Sequence, residues 1–216
     1  MPRPLIGITS HLEPARWGSW VREAAVVATP FLREVDRAGG LPVVLPPVHP
    51  RRVGDLVARF DGFLLTTGAP VGADEDSGEA DPRRDRFETE LVRAAVAARR
   101  PFLAVERGLL VLNVAMDGTL LPARGRRSPR LTETDVTVNV SSALGKVLGD
   151  RARVRRAEGP GVNRIGTGLV PVAWDAAQAV EALEVADHPF GIGVRWRPEE
   201  SADRRLFRAL VEQAAG

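Results

Sequence analysis

A chain of 216 residues that is 44% hydrophobic and 27% charged has the size and composition of one globular domain with a sizeable core. It contains no cysteine, which excludes disulfides, thiolate metal ligands and catalysis by a thiol. No stretch approaches the roughly 18 apolar residues that cross a bilayer, and a net charge of only +2 does not favour nucleic-acid binding.

The N-terminal half alternates short apolar runs with helical patterns. These patterns predict strands at residues 4–10, 41–45 and 61–66, and helices at residues 29–37, 53–60 and 82–97. A loop with Trp17 and Trp20 follows the first strand, and these two side chains could line the mouth of a substrate pocket. The alternation of strand and helix predicts a mostly parallel sheet with helices on both faces.

The middle of the chain turns abruptly from a strand into a helix. Residues 101–105 read PFLAV, which predicts a strand buried on both sides. The helical pattern that follows is expected to end at Gly118. Glu106 lies at the apex of this turn. The segment therefore predicts a nucleophile elbow, in which the apical residue is exposed above the sheet at the N-terminus of the helix.

Short strands dominate the C-terminal third. We predict strands at residues 136–140, 151–155, 169–174, 179–185 and 190–194, a short helix at 143–148 and a terminal helix at 198–215. The last three of these strands are expected to be antiparallel. Neither an internal repeat nor a linker interrupts the chain, so residues 1–216 are expected to form a single domain.

Four segments resemble one known family. Residues 104–114, AVERGLLVLNV, resemble the elbow of class I glutamine amidotransferases, in particular the gamma-glutamyl-gamma-aminobutyrate hydrolase family with its pattern G-[IV]-C-R-G-x-Q-x-[LM]-N-V. Residues 38–43, 81–88 and 191–199 resemble its motifs A-G-G-x-P-V, D-P-x-R-D-x-F-E and L-G-V-Q-[WF]-H-P-E. The resemblance implies a flavodoxin-like, mostly parallel sheet with helices on both faces, and a small antiparallel sheet in the C-terminal third.

The same resemblance implies a catalytic triad, two members of which are replaced. Glu106 stands at the position of the nucleophilic cysteine, Arg197 at that of the histidine, and Glu199 at that of the carboxylate. Leu110 replaces the glutamine of the elbow pattern. Neither Glu106 nor Arg197 can do the original task, because a carboxylate is a weak nucleophile toward an amide and arginine stays protonated. We therefore expect a degenerate member that is not a thiol-dependent glutaminase.

Further positions are candidates for substrate binding. The resemblance places Gly68 and the backbone of Arg107 at the turn that would stabilise an oxyanion. It places Glu158 in a substrate-side loop that lacks the family's histidines and glutamine. His11 follows the first strand, where strand ends can face an active site. The three histidines are too scattered for a metal site and no phosphate-binding glycine loop is present, so neither a metal nor a cofactor is expected.

Two interpretations of the Glu106 position stay open. If Arg197 lies within reach of Glu106, the two side chains could form an ion pair that fills an inactive site. Alternatively, Glu106 acts as an acid or base while Arg197 binds an anionic group of the substrate. A third possibility is that Arg197 points away. Glu199 is expected to pair with Arg197 or Arg195 in every case.

These alternatives lead to different functions. The first is a repurposed protein that binds or acts on a small amide, amino-acid or polyamine-like ligand through Glu106, for example in specialised biosynthesis. The second is a catalytically silent binding protein or regulatory partner subunit, and the third is a slow residual hydrolase. The expected partners are a small molecule and a protein or a second copy in a dimer, without nucleic acid or membrane. The basic run at residues 124–130 is expected to be a solvated loop. The N-terminus lacks a signal-peptide pattern, which predicts a cytoplasmic protein.

Overall fold

The computed structural model describes residues 2–69, 71–72, 81–121 and 130–216. The described helices are α1 Thr29–Arg37, α2 Val53–Val57, α3 Pro82–Ala97, α4 Arg107–Ala115, α5 Ala143–Leu148 and α6 Arg205–Ala215. The described strands are β1 Leu5–Thr9, β2 His11–Trp17, β3 Trp20–Val26, β4 Leu41–Leu45, β5 Gly62–Leu65, β6 Phe102–Val105, β7 Thr119–Leu120, β8 Leu131–Val138, β9 Arg151–Ala157, β10 Val162–Arg164, β11 Leu169–Trp174, β12 Val180–Val185 and β13 Gly191–Val194. The predicted basic loop lies almost wholly outside the described residues.

Nine strands form one sheet in the order β4-β1-β5-β6-β13-β12-β11-β8-β9. The first five of these strands pair in parallel, and their order corresponds to the flavodoxin-like order 2-1-3-4-5. The strands from β12 to β9 continue the same sheet in antiparallel pairing. Two separate two-stranded antiparallel sheets pair β10 with β7 and β2 with β3. The predicted α/β fold with a mostly parallel core is confirmed.

Helices cover both faces of the sheet because the central strands are apolar on both sides. Every residue of β5 and β6 is buried, as parallel strands between two helical layers require. One core cluster joins the sheet to α1, α5 and α6, and the other joins it to α2, α3 and α4. The elbow helix α4 is itself buried along nearly its whole length, so its position relative to the sheet is fixed by packing.

The predicted loop that carries Trp17 and Trp20 is instead a β-hairpin. Strands β2 and β3 pair along their full length, from His11 opposite Val26 to Trp17 opposite Trp20. Gly18, at a φ of 57°, supplies the left-handed conformation that a tight hairpin turn needs. The dipeptide Gly18-Ser19 was therefore a usable hairpin signal.

Other helix and strand ends also differ from the expected ones. The helix predicted at 53–60 ends at Val57 and is preceded by a 3₁₀ turn at Pro50–Arg52. The terminal helix begins at Arg205, and residues 198–200 form a separate 3₁₀ turn. Strand β13 is antiparallel to β12, as expected, but parallel to β6.

Helix α4 closes near Gly118, as expected, but the residue in the left-handed conformation is the one before it. Asp117 takes the positive φ of 64°. The N–H of Gly118 donates to the carbonyl of Asn113 (2.8 Å) and that of Asp117 to Val114 (3.0 Å), the paired hydrogen bonds of a Schellman motif. Gly118 is required for space, since a Cβ there would lie 2.4 Å from the Asn113 side chain.

Among the residues that the structure describes, no helix is both long enough and apolar enough to cross a membrane. The cytoplasmic location and the single-domain organisation stay predictions.

Candidate functional site

The carboxyl ends of the parallel strands meet at one edge of the sheet, where ligands bind in folds of this topology. His11 follows β1, Gly68 follows β5, and Glu106 follows β6. Arg195 and Arg197 follow β13. The topology therefore gathers most of the predicted site residues from distant parts of the chain.

Glu106 occupies the apex of a sharp strand-to-helix turn, as predicted. Its backbone has φ 50° and ψ −98°, a conformation that costs a non-glycine residue about 1–3 kcal/mol. Two hydrogen bonds hold it there: its N–H donates to Val194 (2.7 Å), and its carbonyl accepts from Leu109 (3.1 Å). A Cβ on Gly108 would lie 3.0 Å from Leu65, so only glycine lets the helix approach the sheet this closely.

Arg197 points toward the apex and forms an ion pair with Glu106. The Nη2 atom of Arg197 lies 3.1 Å from Oε2 of Glu106, and the side chains are 21% and 12% exposed. The backbone N–H of Arg197 donates to the carbonyl of Arg155 (2.9 Å), and this hydrogen bond holds the backbone of Arg197 against strand β9. Its Nε is buried without a hydrogen-bond partner. The pair occupies the space above the elbow but leaves part of the arginine unsatisfied.

Glu199 is a buried carboxyl that lies in the 3₁₀ turn Pro198–Glu200. Burial raises the pKa of this carboxyl to about 8, and the nearby charge of Arg197 offsets only part of that rise. Its Oε2 has no hydrogen-bond partner. The expectation that Glu199 pairs with Arg197 or Arg195 is wrong, because the ion pairs that the structure describes include neither contact.

A second charge cluster lies behind the elbow, with only Asp85 of its four side chains partly exposed. Glu88 accepts from Arg84 Nε at 2.8 Å and is in close contact with Arg107, whose guanidinium also contacts Asp85. Arg84 additionally donates to the Thr66 carbonyl (3.2 Å). Burial alone would raise the pKa of Glu88, but Arg107 and Arg84 outweigh it and hold the pKa below its usual range. We call Arg84, Asp85, Glu88 and Arg107 the buried network.

The buried network fixes the turn after β5. A Cβ on Gly68 would lie 2.4 Å from Nη1 of Arg84. Arg84 cannot move aside, because Glu88, Thr66 and the carbonyl of Thr67 (3.1 Å) all hold its guanidinium. Glycine is therefore the residue that fits between the network and the elbow.

A shallow cleft opens beside Glu106 and is too small to enclose an organic ligand as it stands. It is lined by Gly68, Glu106, Arg107, Leu110, Ala157, Gly159, Pro160 and Arg195. Arg195 closes its outer wall, because its guanidinium donates to the carbonyl of Pro160 in a short contact and lies 3.5 Å from that of Gly159. The loop at 158–161 is thus tied down over the elbow.

The structure brings together some of the predicted site residues and separates others. Gly68, Glu106 and Arg107 line the cleft, and Arg197 contacts Glu106. The side chain of Arg107, however, points into the buried network and not into the cleft. Glu199 makes no ion pair with Arg197, although the charge of Arg197 lowers the pKa of its carboxyl.

Four predicted substrate-binding side chains, those of His11, Trp17, Trp20 and Glu158, are not among the residues that line this cleft. Trp17 and Trp20 are 51% and 54% exposed on the hairpin, and Glu158 is exposed on the loop. His11 is partly buried and its Nε2 lies 3.4 Å from Glu13. A substrate-binding role for these four residues stays a prediction.

Sequence reasoning missed the side chains that shape the site without reacting in it. Arg84 and Glu88 have the four-residue spacing of a helical ion pair, which was a usable signal. Nothing in the sequence indicates that Arg195 reaches the carbonyls of residues 159 and 160, because that contact depends on the path of a loop.

The far end of α4 is held by Asn113, which is completely buried. Its Nδ2 donates to the carbonyls of Thr119 (3.1 Å) and Arg164 (3.0 Å), and its Oδ1 accepts from the N–H of Gly166 (2.9 Å). The buried network at one end and Asn113 at the other therefore fix the elbow helix.

Comparison with known proteins gives consistent matches. A family model described as Peptidase C26 matches residues 4–199. A putative glutamine amidotransferase of Mycobacterium tuberculosis is 34% identical over 233 aligned residues, which cover 99% of this chain and 76% of the relative. A gamma-glutamyl-gamma-aminobutyrate hydrolase of Escherichia coli K12 is 30% identical over 212 residues, with 84% and 82% coverage.

Solved structures share the fold at low sequence identity. A putative GMP synthase subunit from Thermoplasma acidophilum matches with a TM-score of 0.70 and 15% identity, covering 100% of this chain and 96% of that one. The glutaminase domain of Trypanosoma brucei CTPS, solved with bound acivicin, matches with a TM-score of 0.71 and 13% identity, at 98% and 94% coverage.

Proposed function

The chain belongs to the peptidase C26 family, and we propose that it is a catalytically silent, glutamine amidotransferase-like member that acts through binding, as a partner or regulatory subunit. The observation that carries this proposal is the ion pair between Glu106 and Arg197 at the apex of the elbow. It places two side chains without thiol or imidazole chemistry at the point where the elbow presents its reactive group.

The surroundings of the pair support the same proposal. The cleft is small, and Arg195 ties the loop over it. Leu110, which lines the cleft, offers no polar group to a substrate. The hairpin exposes two apolar side chains, Trp17 and Trp20, which lie opposite each other in its strand pairing and supply the kind of surface that protein partners contact.

One observation favours a second candidate, a repurposed acid/base site. A carboxyl with a pKa of about 8, such as Glu199, carries a proton at neutral pH and has the property of a general acid. Glu106 and Glu199 would then form a proton-transferring pair, with Arg197 binding an anionic group of a small amide, amino-acid or polyamine-like ligand. This candidate requires the loop at 158–161 to open.

Turnover measurements with matched variants separate the two candidates. Wild type, Glu106→Gln and Glu200→Gln are incubated with glutamine, gamma-glutamyl-gamma-aminobutyrate and a panel of amino acids and polyamines, and products are followed by mass spectrometry. Glu200 is exposed beside Glu199 and serves as the control position. A silent protein gives no product with any variant. Product from wild type and Glu200→Gln, but not from Glu106→Gln, would overturn the proposal in favour of the acid/base site.

A restored variant shows whether the elbow itself is intact. In Glu106→Cys/Arg197→His/Leu110→Gln, a thiol, an imidazole and the retained Glu199 occupy the positions that the family resemblance assigns to catalysis. We expect measurable release of ammonia or gamma-aminobutyrate from this variant, while wild type releases none. A triple variant that folds but stays inactive would show that the closed cleft, and not only the side chains, prevents turnover.

A further inference from the structure

Strand β9 forms one end of the nine-stranded sheet and pairs with a strand, β8, on one side only. The N–H of Val138 donates to the carbonyl of Asp150 (2.8 Å), so residue 150 turns its backbone toward β8. The carbonyl of Arg155 instead accepts from Arg197 (2.9 Å) on the opposite side. Because alternate residues of a strand direct their backbone groups to opposite edges, Arg151 and Arg153 also turn theirs away from β8.

A groove runs along this outer edge of β9. It holds about 560 Å³ of empty space between the strand and the segment that leads into α6. Trp196, Leu206 and Leu148 form its apolar floor, each less than 10% exposed. The groove therefore combines a strand edge that is unsatisfied at Arg151 and Arg153, up to the point where Arg197 takes the carbonyl of Arg155, with an apolar floor. These are the two features that proteins use to bind an extended peptide.

The strand side of the groove is positively charged, whereas on the opposite side Asp203 is paired with Arg205 (2.7 Å). Arg151, Arg153 and Arg155 are exposed and, being alternate residues, project from the same face of the strand. Arg153 pairs with Glu133 at 2.9 Å. Arg151 has no hydrogen bond or ion pair with any residue that the structure describes. The charge of this strand excludes a symmetric pairing of two copies through β9, because it would place arginines opposite arginines.

We propose that the outer edge of β9 binds an extended acidic segment of a partner protein by strand addition. Acidic side chains at alternate positions of that segment face Arg151 and Arg153, and apolar side chains between them face the groove floor. Arg155 lies at the closed end of the edge, where its guanidinium donates to the carbonyl of Glu200 (3.2 Å). This binding does not depend on whether the elbow is catalytically silent, and it lies outside the cleft beside Glu106.

The probe is a fluorescently labelled peptide, Glu-Val-Glu-Val-Glu, whose binding is followed by anisotropy at low and physiological salt. The control peptides are Lys-Val-Lys-Val-Lys and a block sequence, Glu-Glu-Glu-Val-Val. We expect binding of the alternating acidic peptide alone, and weaker binding as salt rises. Absence of binding at millimolar peptide, or equal binding of the block sequence, would overturn the proposal.

Backbone methylation of the peptide tests strand addition without changing the protein. One probe is methylated at the amides of its glutamates and another at the amides of its valines. Since only one alternate set faces β9, we expect one methylated probe to lose binding and the other to keep it. Equal binding of both probes would show a purely electrostatic contact and overturn strand addition.

Variants of Arg153 locate the site on the protein. Arg153→Gln removes the charge and is expected to weaken binding about two- to fivefold. Arg153→Pro also removes the outward N–H but spares the hydrogen bonds to β8, so a loss of roughly tenfold is expected with an unchanged Tm. Arg33→Gln, an exposed arginine on α1, is the charge-matched control. Equal effects at positions 153 and 33 would contradict the assignment of the groove.

Discussion

Two clusters of charged side chains meet at the elbow, and they differ in how completely their atoms are paired. In the buried network, no buried side-chain nitrogen or oxygen of the four described residues lacks a hydrogen-bond partner. In the cluster of Glu106, Arg197 and Glu199, two buried atoms have none: Nε of Arg197 and Oε2 of Glu199. The network is built as a structural support, whereas the second cluster occupies the place of a reaction centre without the pairing that stability alone would favour.

Burial adds to this difference. Glu88 is 0% exposed and its two arginines are 2% exposed, whereas Arg197 is 21% exposed. Water can compensate a lost partner in the second cluster but not in the first. The charges that support the fold and the charges at the apex of the elbow are therefore separate sets, and substitutions should separate their contributions to stability experimentally.

The largest effect is expected from Glu88→Gln. This change leaves Arg84 and Arg107 buried without a full counter-charge and should lower the free energy of unfolding by about 3–5 kcal/mol in urea denaturation at neutral pH. Glu106→Gln, the matched change in the other cluster, should lower it by about 1 kcal/mol or less. Similar losses for the two variants would remove the distinction between the clusters.

The next effect depends on pH and concerns Glu199. The pKa of this carboxyl is about 8 in the folded protein and near its ordinary value of 4.5 in the unfolded chain. Between these values the folded protein holds a proton that the unfolded chain has released, so raising the pH favours unfolding. Relative to Glu199→Gln, wild type should lose up to about 1.4 kcal/mol of stability per pH unit between about pH 5 and pH 8.

The control for this measurement is Glu212→Gln, which removes an exposed carboxyl on α6 that does not contribute to the raised pKa of Glu199. Its stability should follow wild type across the same pH range. Parallel curves for wild type and Glu199→Gln would show that Glu199 ionises normally in the folded protein.

The smallest effect is expected at the elbow backbone. Both Glu106→Ala and Glu106→Gly remove the ion pair, but only glycine adopts φ 50° and ψ −98° without strain. Glu106→Gly should therefore be about 1 kcal/mol more stable than Glu106→Ala by urea denaturation. The reverse order would show that the apex is relaxed and that the elbow stores no strain.

Much of the fold could be predicted because helical spacing of apolar residues and short continuous apolar runs follow one another regularly along the chain. The helix at residues 82–97 and the short helix at 143–148 have the predicted limits, and the fully apolar run before Glu106 is a buried strand. The hairpin of β2 and β3 was not predicted, since Pro14 interrupts its first strand and most of its residues are exposed. Because neither strand has a buried face, the sequence shows no alternation of apolar and polar residues there.

The site was predictable in position but not in its electrostatics. Glu106 and Arg197 could be placed together because a motif resemblance fixed both positions, and the structure gives their ion pair. The neutral state of Glu199 depends on burial by distant segments, which the local sequence does not record. The tether from Arg195 to the loop at 158–161 likewise depends on a contact between residues far apart in the chain.

Asn113 makes the location of residue 106 independent of the side chain at that position. Its three hydrogen bonds join the end of α4 to two other segments, and none of them involves the apex. The amide protons of α4 should consequently exchange with solvent only when the whole protein unfolds. The side chain at position 106 can therefore be replaced, in evolution or by design, without a change in the backbone that holds it.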